Sequence, residues 1–153
     1  MNKWFKVTIK ARKERPDGRK DEKVTDQYLF DGLSYTEVEA RALEELKPYY
    51  KTFEVSKIDP FKVSELFLNT KGDRFYKCKV NFITLIEKKG KEKKTPAYMI
   101  VEARDPKEAE ANLAEGMKGT MSDWNLESIV ETKILDIFKY DLEKKSKELE
   151  EKQ

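Results

Sequence analysis

The sequence contains no histidine and a single cysteine, Cys78, in 153 residues. Each absence closes a chemical route. A zinc site needs several His, Cys or carboxylate ligands converging on one point, and two of those three donor types are missing or nearly so. A Ser-His or Cys-His nucleophile pair cannot be assembled without histidine. One cysteine allows no disulfide within the chain, so the fold rests on its core and suits a reducing compartment. Long apolar runs are absent too. None approaches the roughly 20 residues of a membrane-spanning helix, and Met1-Asn2-Lys3-Trp4 runs straight into an alternating pattern without the apolar stretch of a signal peptide. The expectation is a soluble, cytoplasmic protein without membrane contact. A large net charge is also lacking: 32 Lys+Arg against 30 Asp+Glu leave +2, which argues against a protein that coats long DNA.

What is present is charge and large apolar anchors. Charged residues make up 41% of the chain, hydrophobic residues 38% and aromatics 11%. That apolar content is below the globular average but incompatible with disorder throughout. A chain of this length buries roughly 68–70% of its unfolded surface as one domain, enough for stability without staples.

The chain repeats itself at an offset of 71. Trp4-Phe5-Lys6-Val7 lies over Phe75-Tyr76-Lys77-Cys78, and Tyr28-Leu29-Phe30 over Met99-Ile100-Val101. Ser34, Glu37, Ala40 and Lys47 lie over Asp105, Glu108, Ala111 and Lys118, and Phe53, Val55 and Ile58 over Trp124, Leu126 and Ile129. No gap is needed. Two copies do not make a solenoid. They predict two similar halves, 4–68 and 75–139, related by a pseudo-twofold axis within one domain spanning 1–140.

Each half reads alike. Phe5, Val7, Ile9 and Ala11 alternate with polar neighbours, the period of a half-buried strand over 4–11, repeated at 75–86. Turns follow at Pro16-Asp17-Gly18 and Lys89-Gly90-Lys91. Second strands cover 24–31 and 95–102, with Pro96 expected at a strand start or an edge. Ser34 with Glu37, and Asp105 with Glu108, are capping boxes that open helices, and Pro106 suits a first helical position. Tyr35, Val38, Ala42, Leu43 and Leu46 mark one buried face; Ala109, Leu113, Ala114 and Met117 mark the other. Pro48 stops the first helix, and Gly116 or Gly119 the second. Short strands at 52–58 with 62–68, and 123–130 with 133–139, close the halves. The fold class is α+β: two tandem ββαββ-like halves with helices packed on antiparallel sheet. The tail 141–153 is nearly all charged and reads as a solvated, fraying helix, because Leu142 and Leu149 alone are too little for a coiled coil.

The charge is unevenly placed. Segment 1–25 carries nine Lys/Arg against four acids, and 71–94 nine against three. These are the same first strand and hairpin in both copies, and the helices carry compensating acids. Lys6, Lys10, Lys77 and Lys79 on the polar strand face, beside Trp4, Phe75 and Tyr76, could hold phosphates and stack bases. The plainer reading is that lysines keep strand edges from aggregating, and that the aromatics are core. Gly116-Met117-Lys118-Gly119-Thr120 offers close backbone approach, a cation and a hydroxyl, and superficially resembles the Gly-x-x-Gly loop of KH domains. It follows a helix, however, and a helix cap with a turn explains its glycines more economically. Cys78 stays in phase with Tyr76 and Val80 and matches Val7, so it reads as a buried, inert thiol.

Several stretches carry a resemblance: Gly72-Asp73-Arg74-Phe75-Tyr76-Lys77, Phe82-Ile83-Thr84, Gly90-Lys91-Glu92-Lys93, Glu115-Gly116-Met117-Lys118-Gly119-Thr120-Met121, Trp4-Phe5 and Leu33-Ser34-Tyr35-Thr36-Glu37-Val38-Glu39-Ala40. Over residues 4–140 the chain resembles an uncharacterised family of small proteins from Bacteroidetes, their phages and mobile elements. The family lends no residue a role. Its context implies a small phage protein that binds nucleic acid, blocks a host protein or sequesters a nucleotide signal of host defence.

The expectation drawn from these readings is a non-enzymatic binder of an anionic, nucleotide-type small molecule, a phage sponge for a defence signal. Trp4, Phe75 and Tyr76 are expected to stack, while Lys6, Lys77, Lys118, Gly119 and Thr120 hold phosphate. No catalytic residue, metal or cofactor is assigned. A homo-oligomer is expected through an edge strand or the tail. The alternatives are a single-stranded nucleic-acid binder and a protein–protein module that inhibits a host protein through a sheet edge.

Overall fold

The computed structural model describes residues 3–68, 72–88 and 90–140. The expected tail helix (141–153) and Lys89 of the second turn lie outside the described residues. In chain order the elements are β1 (Lys3–Lys13), β2 (Glu22–Gly32), α1 (Tyr35–Glu45), a 3-10 turn (Lys47–Tyr49), β3 (Thr52–Pro60), β4 (Glu65–Phe67), β5 (Arg74–Ile86), β6 (Lys91–Ala103), α2 (Pro106–Gly116), β7 (Asp123–Glu131) and β8 (Ile134–Phe138). The fold is α+β, with two four-stranded sheets and one helix packed on each. The chain divides into two units. One holds the residues up to Phe61 and those from Asp136 on; the other is Lys62–Leu135.

In the first unit, period-2 alternation puts Phe5, Val7, Ile9 and Ala11 on one face of β1, where they are buried against Val38, Ala42 and Leu46 of the α1 segment. Fully burying a side chain such as Ile9 or Phe30 contributes about 1.5–3 kcal/mol. β1 pairs antiparallel with β2, from Lys3 opposite Gly32 to Lys13 opposite Glu22. On its other flank β1 pairs antiparallel with β3, through a bulge between Thr8 and Ile9. The sheet order is β3-β1-β2-β8. Ser34 caps α1 by accepting the Glu37 N–H at 3.2 Å, and the Glu37 carboxylate accepts the Leu33 N–H at 3.1 Å. Tyr35 and Leu43 are exposed rather than buried. The buried row of the helix is 38–42–46, a stripe narrower than the apolar pattern suggested, although the half-exposed Tyr35 ring still meets Phe5 edge-on at 5.0 Å.

The second unit is built the same way. β5 and β6 pair antiparallel, β7 adds to β5 through a bulge between Lys79 and Val80, and the order is β4-β6-β5-β7. Tyr76, Cys78 and Val80 meet Ala109, Leu113 and Met117, whereas Ala114 is exposed. Asp105 caps α2 by accepting the Glu108 N–H at 2.7 Å, and Pro106 opens that helix. Pro96 sits inside β6, opposite Asn81. It lies outside the Met99–Val101 stretch that pairs with β4, so it has a paired strand on one flank only. The elements recur at the sequence offset: α1 and α2 open at 35 and 106, and β3 and β7 at 52 and 123. The bulges at Thr8/Ile9 and Lys79/Val80 are likewise 71 residues apart.

The last strand of each half does not close that half. β4 follows β3 in sequence but pairs with β6 of the other sheet, and does so in parallel, with Leu66 opposite Ile100 and Phe67 opposite Val101. β8 follows β7 but completes the sheet of β1 and β2. The physical reason for the first exchange is packing. On β6, Phe67 lies against α2, where it meets the missing side chain of Gly116.

Candidate functional site

The residues singled out from sequence do not form one cluster within either unit. Trp4 and Lys6 stand in β1 of the first unit, both half-buried, and the Trp4 carbonyl accepts the Phe61 N–H at 2.9 Å. The other six are in the second unit, divided between the two sides of its sheet. Phe75 and Lys77 are on the face away from α2. Phe75 is 7% exposed, and its carbonyl accepts both the N–H and the hydroxyl of Thr132. Tyr76 is a core residue, 1% exposed, because it is in phase with Cys78 and Val80. It offers no open ring for stacking. The Lys77 ammonium lies 4.6 Å from the Tyr98 ring centre, a cation–π contact.

The glycine loop serves the helix end. A Cβ at Gly116 would run into the Phe67 ring, and Gly119 adopts φ +84°, the left-handed turn that favours glycine. Lys118 is ion-paired with Glu115 at 2.8 Å, and the Thr120 N–H donates to the Met117 carbonyl. Cys78 is fully buried, and burial pushes its thiol up to about 11, which makes it inert. Among the described residues no group of three or more His, Cys, Asp or Glu could hold a metal ion.

A concavity lies elsewhere. A cavity of about 520 Å³ opens at the hairpin end of the first sheet, across three neighbouring strands. Lys10, Ala11 and Arg12 of β1, Lys23, Val24 and Thr25 of β2, and Thr52, Phe53 and Glu54 of β3 line it. Strand alternation puts the six polar residues among them on the face away from α1, whereas Ala11, Val24 and Phe53 are on the core side. The antiparallel register sets the six in two cross-strand rows. One is Lys23–Arg12–Thr52 and the other Thr25–Lys10–Glu54.

Their electrostatics are unusual for a sheet surface. Arg12 stands directly opposite Lys23, and like charges directly opposite destabilise a strand pair. Among the described residues no carboxylate lies within 4 Å of the charged groups of Lys10, Arg12 or Lys23. Lys13 and Lys51 nearby are paired, Lys13 with Asp26 at 3.6 Å and Lys51 with Glu14 and Asp21, each at 3.6 Å. At the matching positions of the second unit stand Asn81, Ile83, Lys94, Pro96, Asp123 and Asn125. There Ile83, not a cation, faces Lys94. Buried Asn81 donates to Asn125 and to Glu127, and Lys79 is neutralised by Glu127 at 2.7 Å. That hydrogen bond and charge hold the Lys79 ammonium above its ordinary value and the Glu127 carboxyl below its own.

Of the polar groove residues, sequence reasoning had singled out Lys10 alone. Arg12, Lys23, Thr25, Thr52 and Glu54 come from three strands and meet only through register. The signal that could have found them was the β1–β2 pairing itself, which sets two cations face to face.

Structure and groove together define a small α+β protein with a basic concavity in the first of two like-built units. The chain belongs to the family described as a domain of unknown function, DUF4494, whose model matches residues 3–140. No curated protein and no solved structure matches it. No helix of the described residues is long and apolar enough to cross a membrane.

Proposed function

We propose that the protein is a non-enzymatic binder of a phosphate-bearing, nucleotide-type anion, and that the groove on the first sheet is where it binds. The observation that carries this reading is the pair Arg12 and Lys23, set opposite each other with Lys10 beside them, none of the three in an ion pair within 4 Å among the described residues. Two cations opposed on a strand pair repel each other; an anion between them turns the repulsion into two charge-assisted hydrogen bonds. Arg12 offers a planar fork suited to phosphate oxygens, Lys10 and Lys23 offer point charges, and Thr25 and Thr52 offer hydroxyl donors. The cavity is of the size of small-ligand sites. The same reading includes the setting: a cytoplasmic protein of Bacteroidetes, their phages or mobile elements that sequesters a nucleotide signal of host defence.

The test is calorimetric titration of the purified chain with a panel of mono-, di- and cyclic nucleotides and ADP-ribose. At least one nucleotide is expected to bind. Arg12→Ala and Lys23→Ala should each weaken it by about 10- to 100-fold, the worth of a hydrogen bond to a charged group. Binding that both substitutions leave unchanged would refute the site. Affinity seen only with long oligonucleotides and falling steeply with salt would favour a single-stranded nucleic-acid binder instead.

A further inference from the structure

The groove is not uniformly basic, and its polarity points to a ligand class narrower than "anion". The row nearer the hairpin tip, Lys23–Arg12–Thr52, holds two cations and a hydroxyl. The next row, Thr25–Lys10–Glu54, holds one cation, a hydroxyl and a carboxylate. Glu54 stands directly opposite Lys10 on the neighbouring strand, yet the two make no ion pair within 4 Å. Both charges are therefore available within one concavity. A carboxylate in a site for a bare phosphate or pyrophosphate would repel its ligand. It becomes favourable when the ligand also brings hydroxyl donors, because an ionised carboxylate is an acceptor with two oxygens and no donor. The rows are two residues apart along β1, about 7 Å, which separates the phosphate end of the groove from its carboxylate end by the order of one nucleoside phosphate.

Resting on the proposed nucleotide-binding role of this groove, we infer that its ligand is a ribonucleotide. Arg12 and Lys23 hold the phosphates, and Glu54 accepts from the vicinal hydroxyls of the ribose. Acidic side chains accept from ribose hydroxyls in dinucleotide-binding proteins by the same chemistry. The second unit has Asn125 at the position of Glu54 and lacks the opposed cations, so the inference assigns one such site per chain.

The experiment is titration of the full chain with ADP, 2′,3′-dideoxy-ADP and inorganic pyrophosphate, repeated with Glu54→Ala. The wild-type chain should bind ADP about tenfold or more tighter than the dideoxy nucleotide, the effect of losing a hydrogen bond to a charged acceptor. Glu54→Ala should abolish that preference and at the same time bind pyrophosphate more tightly, since a repelling charge is gone. A substitution that merely loosened β3 would weaken all three ligands together. Equal affinity of the wild-type chain for ADP and dideoxy-ADP overturns the ribose assignment and leaves the groove a phosphate site. Failure of all three ligands to bind overturns the groove itself.

Discussion

Gly116 is the sharpest test of how this chain uses its glycines. It is the last residue of α2, and by intrinsic propensity alone Gly→Ala in a helix stabilises by about 1 kcal/mol, less in a final turn. Packing argues the opposite sign. A Cβ at Gly116 would collide with three carbons of the Phe67 ring. Phe67 is held on β4, whose three residues pair with Met99–Val101, so the ring cannot withdraw without disturbing that short strand. Overpacking of this kind costs about 1–3 kcal/mol. The net expectation for Gly116→Ala is a loss of about 1–2 kcal/mol, or about 2–8 °C in melting temperature for a chain of this size. The assay is a double-mutant cycle in urea with Phe67→Leu, which removes the ring. In the Phe67→Leu background Gly116→Ala should be neutral or stabilising, giving a coupling of about 1–3 kcal/mol. Gly119→Ala is the contrast: nothing lies within 4 Å of its Cβ, so its cost is the φ of +84° alone, and Phe67→Leu should not change it. A Gly116→Ala chain with a raised urea midpoint in the wild-type background would refute the packing argument.

Two further predictions test the core and the seat of β8. Burial pushes the Cys78 thiol up to about 11, against about 8.5 in an unfolded chain; the unfolded state thus loses its proton first, and stability falls from about pH 8.5 towards pH 11 by about 1.4 kcal/mol per unit. Cys78→Val, which copies Val7 of the first unit, should flatten that part of the curve in urea melts from pH 8 to 11, and an unchanged slope would count against it. Arg41 donates to the carbonyl and carboxylate of Asp31 and to the Phe138 carbonyl, and its guanidinium lies 5.3 Å from the Tyr140 ring centre. Arg41→Ala leaves the Asp31 carboxylate mostly buried with its Tyr140 N–H bond at 2.6 Å, so a loss of about 2–3 kcal/mol is expected, with faster hydrogen exchange in β8; a loss below about 0.5 kcal/mol would show that the contact holds nothing.

What could be read in the sequence was what local rules encode. Alternation placed Phe5, Val7 and Ile9 in a strand, and the two capping boxes placed both helix starts, because each signal lies within a few residues. The repeat carried these readings from one half to the other. The exchange of β4 and β8 was not legible: strands of three and five residues carry no period of their own, and their partners are chosen by which surface buries Phe67 or Phe138. Tyr35 and Leu43 showed the complementary failure, since a helix's apolar residues say which face can be buried but not how wide a strip the sheet will meet. The groove was hidden for a third reason. Its six polar residues span positions 10 to 54 and are neighbours only in the register of three strands.

That register also shows why counting charge was a weak guide to the site. The two hairpin segments have nearly the same excess of cations, five and six, which made them look equivalent. Their pairing makes them different. In the second unit Lys79 sits on Glu127, buried Asn81 ties Asn125 to the same carboxylate, and Ile83 faces Lys94. In the first unit Arg12 faces Lys23, and among the described residues neither makes an ion pair within 4 Å. The core positions of the two halves stay alike in kind, Val7 with Cys78, Ile9 with Val80 and Val38 with Ala109, because the same packing constraint acts on both. The positions that part company, Lys10 from Asn81, Arg12 from Ile83 and Glu54 from Asn125, lie on the face that the helix does not use. Packing on the helix cannot account for opposed cations on that face. The anion proposed for the groove would, and on that proposal the divergence between the halves, rather than their likeness, is the better pointer to function.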